Sequence, residues 1–208
     1  MTEAGGGRTT GAGWRGWVVA GALLGAALVL RTWVFGLVTV PTASMAPTLL
    51  PGEIALYWKF QEPAVGDVVV VDRDDGVLHI KRVVAIGGDE VEISAGRLYV
   101  NGSPIREAAG EAARWEEEGV EGCRERSAAT VIEAREARRW RVIPGGEHER
   151  ERVPEGTIFL LGDHRPSSSD SRQWGASPRQ AARGVVASLV WSRSPCGDLR
   201  PDRVGSLE

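Results

Sequence analysis

The chain opens on a long apolar run and then breaks into short β-branched segments separated by glycine and proline turns. Residues 17–30 carry no charge, and apolar character resumes after Arg31 through Trp33-Val34-Phe35-Gly36-Leu37-Val38. Together they predict a helix of about twenty residues, the length that crosses a bilayer core. Beyond it, residues 54–58 read as a strand opened by the Pro51-Gly52 turn. Val68-Val69-Val70-Val71 reads as a strand buried on both faces, and residues 77–86 as a third strand. The Gly87-Gly88-Asp89 turn leads into Val91-Glu92-Ile93, and a strand over 97–100 closes at Asn101-Gly102. From Arg106 to Arg152 the pattern changes to Glu, Arg, Ala and Gly. This predicts an exposed, mixed-charge insertion, partly helical around 128–141, that adds little core. Residues 157–161 and 184–191 supply the last strands, and the tail after Ser194 reads as disordered. The expected organisation is an N-terminal tail (1–16), a transmembrane anchor (17–38), a first core half (39–105), the insertion (106–152), a second core half (153–194) and a C-terminal tail (195–208). The expected fold class is mainly β, a transmembrane helix followed by a β-rich core.

Arg8 and Arg15 precede the apolar run, so the positive-inside bias places the N-terminus in the cytoplasm and everything from Pro41 onward on the outer face. Arg31 is tolerable near the outer end of a tilted helix, where it can snorkel to head groups. A cleaved signal peptide competes with the anchor, its cleavage site falling at Thr42-Ala43-Ser44. Such a cut would sever the serine segment that carries the chemistry, so the retained anchor is favoured. At 208 residues, 42% hydrophobic and 25% charged, the chain has room for one domain plus an anchor. With 11 prolines and 27 glycines it leans to a turn-rich β architecture. A net charge of −3 without a basic stripe gives no case for nucleic acid. Cys123 and Cys196 fit neither a zinc site nor a disulfide framework. A single bond in an exported domain and two unrelated thiols both stay open.

Three polar islands interrupt this pattern. Pro41-Thr42-Ala43-Ser44-Met45-Ala46-Pro47 sets one serine on a proline-flanked turn just past the anchor. Lys81 sits among Leu78, Ile80, Val83 and Val84 in the third strand, and Gly162-Asp163-His164 opens a loop running through Ser168-Ser169-Asp170-Ser171-Arg172. A serine hydroxyl needs a base to become a nucleophile, and lysine is charged at neutral pH. Burial disfavours the charged form and can bring a lysine to about 7–8. Each island alone has a bland reading: a turn, a solvated loop, or a lysine whose alternation puts it beside His79 on the solvent face. Their order downstream of an anchor favours a Ser–Lys hydrolase.

These residues resemble the type I signal peptidases, membrane-anchored Ser–Lys endopeptidases of bacterial protein export. The resemblance is carried by Ser44-Met45-Ala46-Pro47-Thr48-Leu49, Gly66-Asp67-Val68-Val69, Lys81-Arg82-Val83-Val84, Gly88-Asp89-Glu90-Val91, Leu98-Tyr99-Val100-Asn101-Gly102, Gly162-Asp163-His164-Arg165 and Ser168-x-Asp170-Ser171-Arg172. It implies Ser44 as nucleophile, Lys81 as general base, Ser168 as the hydroxyl holding the lysine amine, and Thr42 as an aid to the Ser44 N–H in an oxyanion hole. Asp170 with Arg82 and Arg172 is implied as a supporting ion-pair cluster. Val38, Val40, Met45 and Ile80 are implied as shallow pockets that accept small side chains, with the substrate pairing as an added strand. The implied partners are preprotein signal peptides, membrane lipid and a nearby export translocon; no metal or other cofactor is needed.

The sequence departs from the family pattern at His164, Pro166 and His79, and the insertion has no detailed counterpart. Adjacent Asp163 and His164 cannot relay to one another from a strand end, which discounts a Ser-His-Asp reading. The rival readings are a Ser–Lys processing peptidase of a conjugation or pilin system, a repressor-type self-cleaving peptidase, and a catalytically silent anchored binding domain. A membrane helix in place of a DNA-binding module argues against the repressor type, and an intact Ser44, Lys81 and Ser168 argue against the silent domain.

Overall fold

In the computed structural model, which describes residues 13–73, 76–120 and 122–207, the apolar run folds as helix α1, Gly13–Val34. Its 22 residues extend about 33 Å at 1.5 Å per residue, enough to cross a hydrocarbon core. The described side chains of α1 face outward along nearly its whole length. Arg8, the rest of the expected tail through residue 12, and the side chain of Arg31 lie outside the described residues. The helix ends at Val34 rather than at 38, because the next residues are taken by a strand. Strand β1 (Phe35–Thr39) pairs antiparallel with β2 (Glu53–Trp58), from Phe35↔Trp58 to Thr39↔Ile54. Alternation then buries Val38 and exposes Leu37. Lys59 closes the helix: its ammonium donates to Thr32 O at 2.7 Å and its N–H to Val34 O at 3.0 Å. Carbonyls left open at a helix C-terminus are thereby satisfied.

The runs at 68–71, 77–86, 91–93 and 97–100 form strands, as their patterns predict. In chain order the next strands are β3 (Val68–Asp72), β4 (Leu78–Ile86), β5 (Glu90–Ser94), β6 (Arg97–Val100) and the short β7 (Ser103–Pro104). Then come β8 (Arg106–Gly119), β9 (Gly122–Arg135), β10 (Arg138–Val142), β11 (His148–Arg152) and β12 (Thr157–Leu161). A single turn of helix, α2 (Ser171–Trp174), precedes β13 (Ser177–Pro178), β14 (Ala182–Ser192) and β15 (Gly205–Ser206). The main sheet has the order β1-β2-β14-β3-β4-β12-β13, with β15 added on β14. A second sheet runs β11-β5-β6-β7 and a third β10-β9-β8. The fold is mainly β, as expected. One core cluster gathers Val38, Val40, Met45, Leu49, Val70 and Ile80 between the start of the chain and the middle of the main sheet. A second, around Phe159 and Leu161, joins β4 and β12 to β5 and β6.

Two expectations are corrected here. The insertion is not helical around 128–141: it is a long β8–β9 hairpin extended by β10, and β11 joins the second sheet. Ala, Glu and Arg are good helix formers, but such propensities amount to tenths of a kcal/mol, and the ladder formed by the β-branched Thr130-Val131-Ile132 against β8 and β10 overrides them. Nor is the insertion free of core, since Ala113, Trp115 and Ile143 pack with Ala46 and Leu50 beneath the serine turn. The tail after Ser194 is also ordered. Cys196 is disulfide-bonded to Cys123 near the hairpin tip, Arg193 bridges to Leu199, and β15 pairs with β14 at Ser188↔Ser206.

Candidate active site

Ser44 sits on one turn of 3-10 helix, Ala43–Met45, entered from an extended Thr42 and left through an extended Ala46. The turn rests on buried Met45 and Ala46, so the backbone is anchored from below while Ser44 stays half-buried above it. The Lys81 ammonium donates to Ser44 Oγ at 3.1 Å and to Ile80 O at 3.0 Å. Lys81 is only 3% exposed. Burial pushes its pKa down from 10.5 to about 8, against the opposing pull of the Asp170 and Asp163 carboxylates, with Arg172 adding to the depression. The alternation argument for a solvent-facing Lys81 therefore fails. Ile80 through Ala85 are buried without a break, so β4 is covered on both faces along this stretch and alternation no longer sends Lys81 to solvent.

The remaining sequence candidates converge on the same place. The Thr42 hydroxyl donates to Ser44 Oγ at 3.2 Å. Ser168 is buried, and its hydroxyl donates toward Ser169 O at 3.5 Å rather than to a Lys81 that is itself a donor. Gly162 separates Ser168 from the serine turn with no room to spare. A Cβ at Gly162 would stand 2.2 Å from Ser168 Oγ and 2.6 Å from Ser44 O, so only glycine fits. Val38, Val40, Met45 and Ile80 are buried together in one cluster, in which Met45 follows Ser44 and Ile80 precedes Lys81 in the chain.

The supporting charges divide differently from the expected single cluster. Asp170 is held by Arg172, with Nε–Oδ1 2.7 Å and Nη2–Oδ2 2.8 Å, and accepts the Gly162 N–H at 2.9 Å. Arg172 also donates to Arg165 O and Ser168 O, tying the loop together. Arg82 turns instead to Asp163, with bonds of 2.8 and 2.6 Å, and reaches the Thr48 hydroxyl at 3.1 Å. The strand geometry dictates this: Arg82 pairs with Leu161 on β12, which brings it beside the chain just before Asp163. Asp163 is thereby fully occupied and His164 is turned elsewhere. The ring Nδ1 of His164 lies 3.3 Å from Ala43 O, the ring stacks edge-on against Trp115, and burial lowers its pKa. His79 lies edge-on against Trp174.

Several supporting roles escaped the sequence reading. Glu53 and Asp163 are completely buried, and Arg165, 1% exposed, pairs at 2.6 Å with Glu133, which also accepts from Trp140 Nε1. Asp163 was visible inside a motif. Glu133 was not, because it lies in a segment crowded with other glutamates and arginines.

The profile of the family described as "Signal peptidase, peptidase S26" matches residues 14–191. A signal peptidase I of Pseudomonas fluorescens is 34% identical over 167 residues, covering 71% of this chain and 58% of that protein. A probable signal peptidase I-1 of Synechocystis sp. is 30% identical over 186 residues, covering 83% and 80%. A signal peptidase I of Bacillus licheniformis is 32% identical over 151 residues, covering 70% of each. With a family profile spanning most of the sequence and relatives of this similarity, the chain belongs to the signal peptidase family, peptidase S26, the serine peptidases that remove signal peptides.

Proposed function

We propose that this chain is a single-pass peptidase of the cytoplasmic membrane, its N-terminus inside and its β-domain outside, that cuts exported preproteins after Ala-x-Ala-type sequences with a Ser44–Lys81 dyad. The observation that carries the proposal is the 3.1 Å bond between the Lys81 amine and Ser44 Oγ, made by an amine held away from water. Neutral Lys81 takes the Ser44 proton as Oγ attacks the carbonyl of the small residue before the scissile bond. The Ser44 N–H and the Thr42 hydroxyl, which leaves Ser44 Oγ once that oxygen bonds the carbonyl carbon, stabilise the developing oxyanion. Lys81 then gives its proton to the leaving amine, and an acyl-enzyme on Ser44 is hydrolysed by a water that Lys81 activates. Ser168 orients the amine once it is neutral and able to accept a hydrogen bond.

We assign the choice of alanine-sized groups to Val38, Val40, Met45 and Ile80, which share a buried apolar cluster with Met45 next to Ser44 and Ile80 next to Lys81 in sequence. Strand addition is supported by two open edges. β1 ends the main sheet, and residues 78–81 of β4 are paired on the β3 side while β12 begins at Arg82. The test is cleavage of a preprotein ending in Ala-x-Ala, read by mass spectrometry with the detergent-solubilised chain. Ser44→Ala and Lys81→Ala should each abolish the cut, while His79→Ala, His148→Ala and His164→Ala keep substantial activity. A histidine variant as inactive as Ser44→Ala would reject the dyad.

A further inference from the structure

The serine turn belongs to a closed arch over residues 40–53. Val40 N–H donates to Glu53 O and Gly52 N–H to Val40 O, both at 2.9 Å, which pins the two feet together. Within it, Ala46 N–H bonds Ala43 O and Leu49 N–H bonds Met45 O. One flank of the arch leans on the site already described: the Thr48 hydroxyl donates to Asp163 at 2.5 Å and accepts from Arg82. The other flank is held from outside the core, by the ordered C-terminal tail.

Arg203 supplies most of that hold. Its Nη2 donates to Thr48 O at 3.0 Å and Pro47 O at 3.3 Å, while its Nε donates to Glu53 Oε1 at 2.5 Å. Glu53 is completely buried and also accepts the Leu50 N–H at 2.7 Å and the Ser192 hydroxyl at 2.8 Å. Arg200 adds a bond to Pro51 O at 2.8 Å. The tail cannot drift from this position easily. It is tied by Cys123–Cys196 to the β8–β9 hairpin, paired through β15 to β14, and packed by Leu207 against the cluster that contains Val38, Val40 and Met45.

We propose that Arg203 is a positioning residue for Ser44: it fixes the back of the arch so that Oγ stays within reach of the Lys81 amine. The inference rests on Ser44 being the nucleophile. An arginine suits the task because its planar fork serves a carboxylate and two carbonyls at once. Without it the two carbonyls lose a charged donor and Glu53 loses its counter-ion, so the arch can shift relative to β4. Displacement of a reacting group by about 1 Å costs about 100-fold in rate.

The test uses the full, oxidised, detergent-solubilised chain as wild type, Arg203→Gln, Arg203→Lys and Ser44→Ala, on the Ala-x-Ala preprotein. Assays run where near-ultraviolet circular dichroism shows each variant folded. Arg203→Gln should lower kcat about 10- to 100-fold with KM within about threefold and the position of the pH limb unchanged. Arg203→Lys, which can still donate to the carbonyls, should recover a large part of the loss. A kcat for Arg203→Gln within about twofold of wild type overturns the proposal. So does a loss that matches the unfolded fraction, or a lysine variant no faster than the glutamine one. Cleavage by Ser44→Ala would overturn the serine reading together with this one, whereas a fast Arg203→Gln beside an inactive Ser44→Ala overturns this one alone.

Discussion

At the scale of single residues, the site depends on a lysine that is costly to bury. A lysine whose pKa falls from 10.5 to about 8 on folding destabilises the native state while both forms are protonated. The penalty is therefore complete below pH 8, fades between 8 and 10.5 as the folded state loses its proton first, and vanishes above. The shift corresponds to about 3 kcal/mol. Lys81→Met should thus be inactive yet more stable than wild type at pH 7, with the difference shrinking toward pH 10; urea unfolding at the two pH values checks this. With Lys81 as the proposed base, the same pKa should set the rate. Cleavage should rise through about pH 8 as the amine becomes neutral, while His164, held below its ordinary value by burial, contributes no limb in that range. An activity that stays flat between mildly acid and alkaline pH would remove Lys81 from the role of base. The sequence showed a lysine among apolar neighbours but could not say which face it took. Burial of β4 on both faces, with Ile80, Lys81, Arg82 and Val83 all enclosed, depends on packing from elsewhere in the chain and removes the choice.

Elements were legible where one local signal dominated. The strands Arg97–Val100 and Thr157–Leu161 lie where their alternation and β-branching put them. The apolar helix was legible in existence but not in extent, since Phe35-Gly36-Leu37-Val38 is as compatible with a strand as with a helix until β2 is present to pair with it. The insertion and the tail were misread for a common reason: their order comes from partners distant in sequence. Arg135 reaches Val84 O and Asp89, Arg203 reaches Glu53, and Cys123 reaches Cys196 across 73 positions. Closing a loop of that size removes chain entropy from the unfolded state worth about 4 kcal/mol in the simple model, with measured values of about 2–4 kcal/mol common. Cys196→Ser should lower stability by an amount in that range, measured by thermal or urea unfolding. Reduction of the wild-type chain should reproduce the loss, and reduction of the variant should add nothing. Equal stability of oxidised and reduced wild type would mean that the hairpin and tail hold each other without the bond.

For the whole molecule, the relation between anchor and body decides what each contributes to catalysis. α1 leaves its described side chains almost entirely uncovered, and Lys59 ties its end to the body through the carbonyls of Thr32 and Val34. The groups that build the site all lie beyond Val34: the arch over 40–53, β4, the loop from Gly162 to Arg172, and the tail. The helix should therefore do nothing for the chemical step and a great deal for encounter, because tethering enzyme and membrane-inserted substrate to one surface raises their effective concentration. A chain lacking residues 1–34 should keep its disulfide and cooperative unfolding, and should cut a short soluble Ala-x-Ala peptide with kcat within about threefold of the full chain. Processing of a preprotein embedded in vesicles should fall by about 10²-fold or more. Peptide and vesicle assays on the two chains separate the roles. A truncated chain that loses kcat on the soluble peptide would show that α1 shapes the arch through β1, the strand it leads into, and does more than hold the enzyme at the membrane.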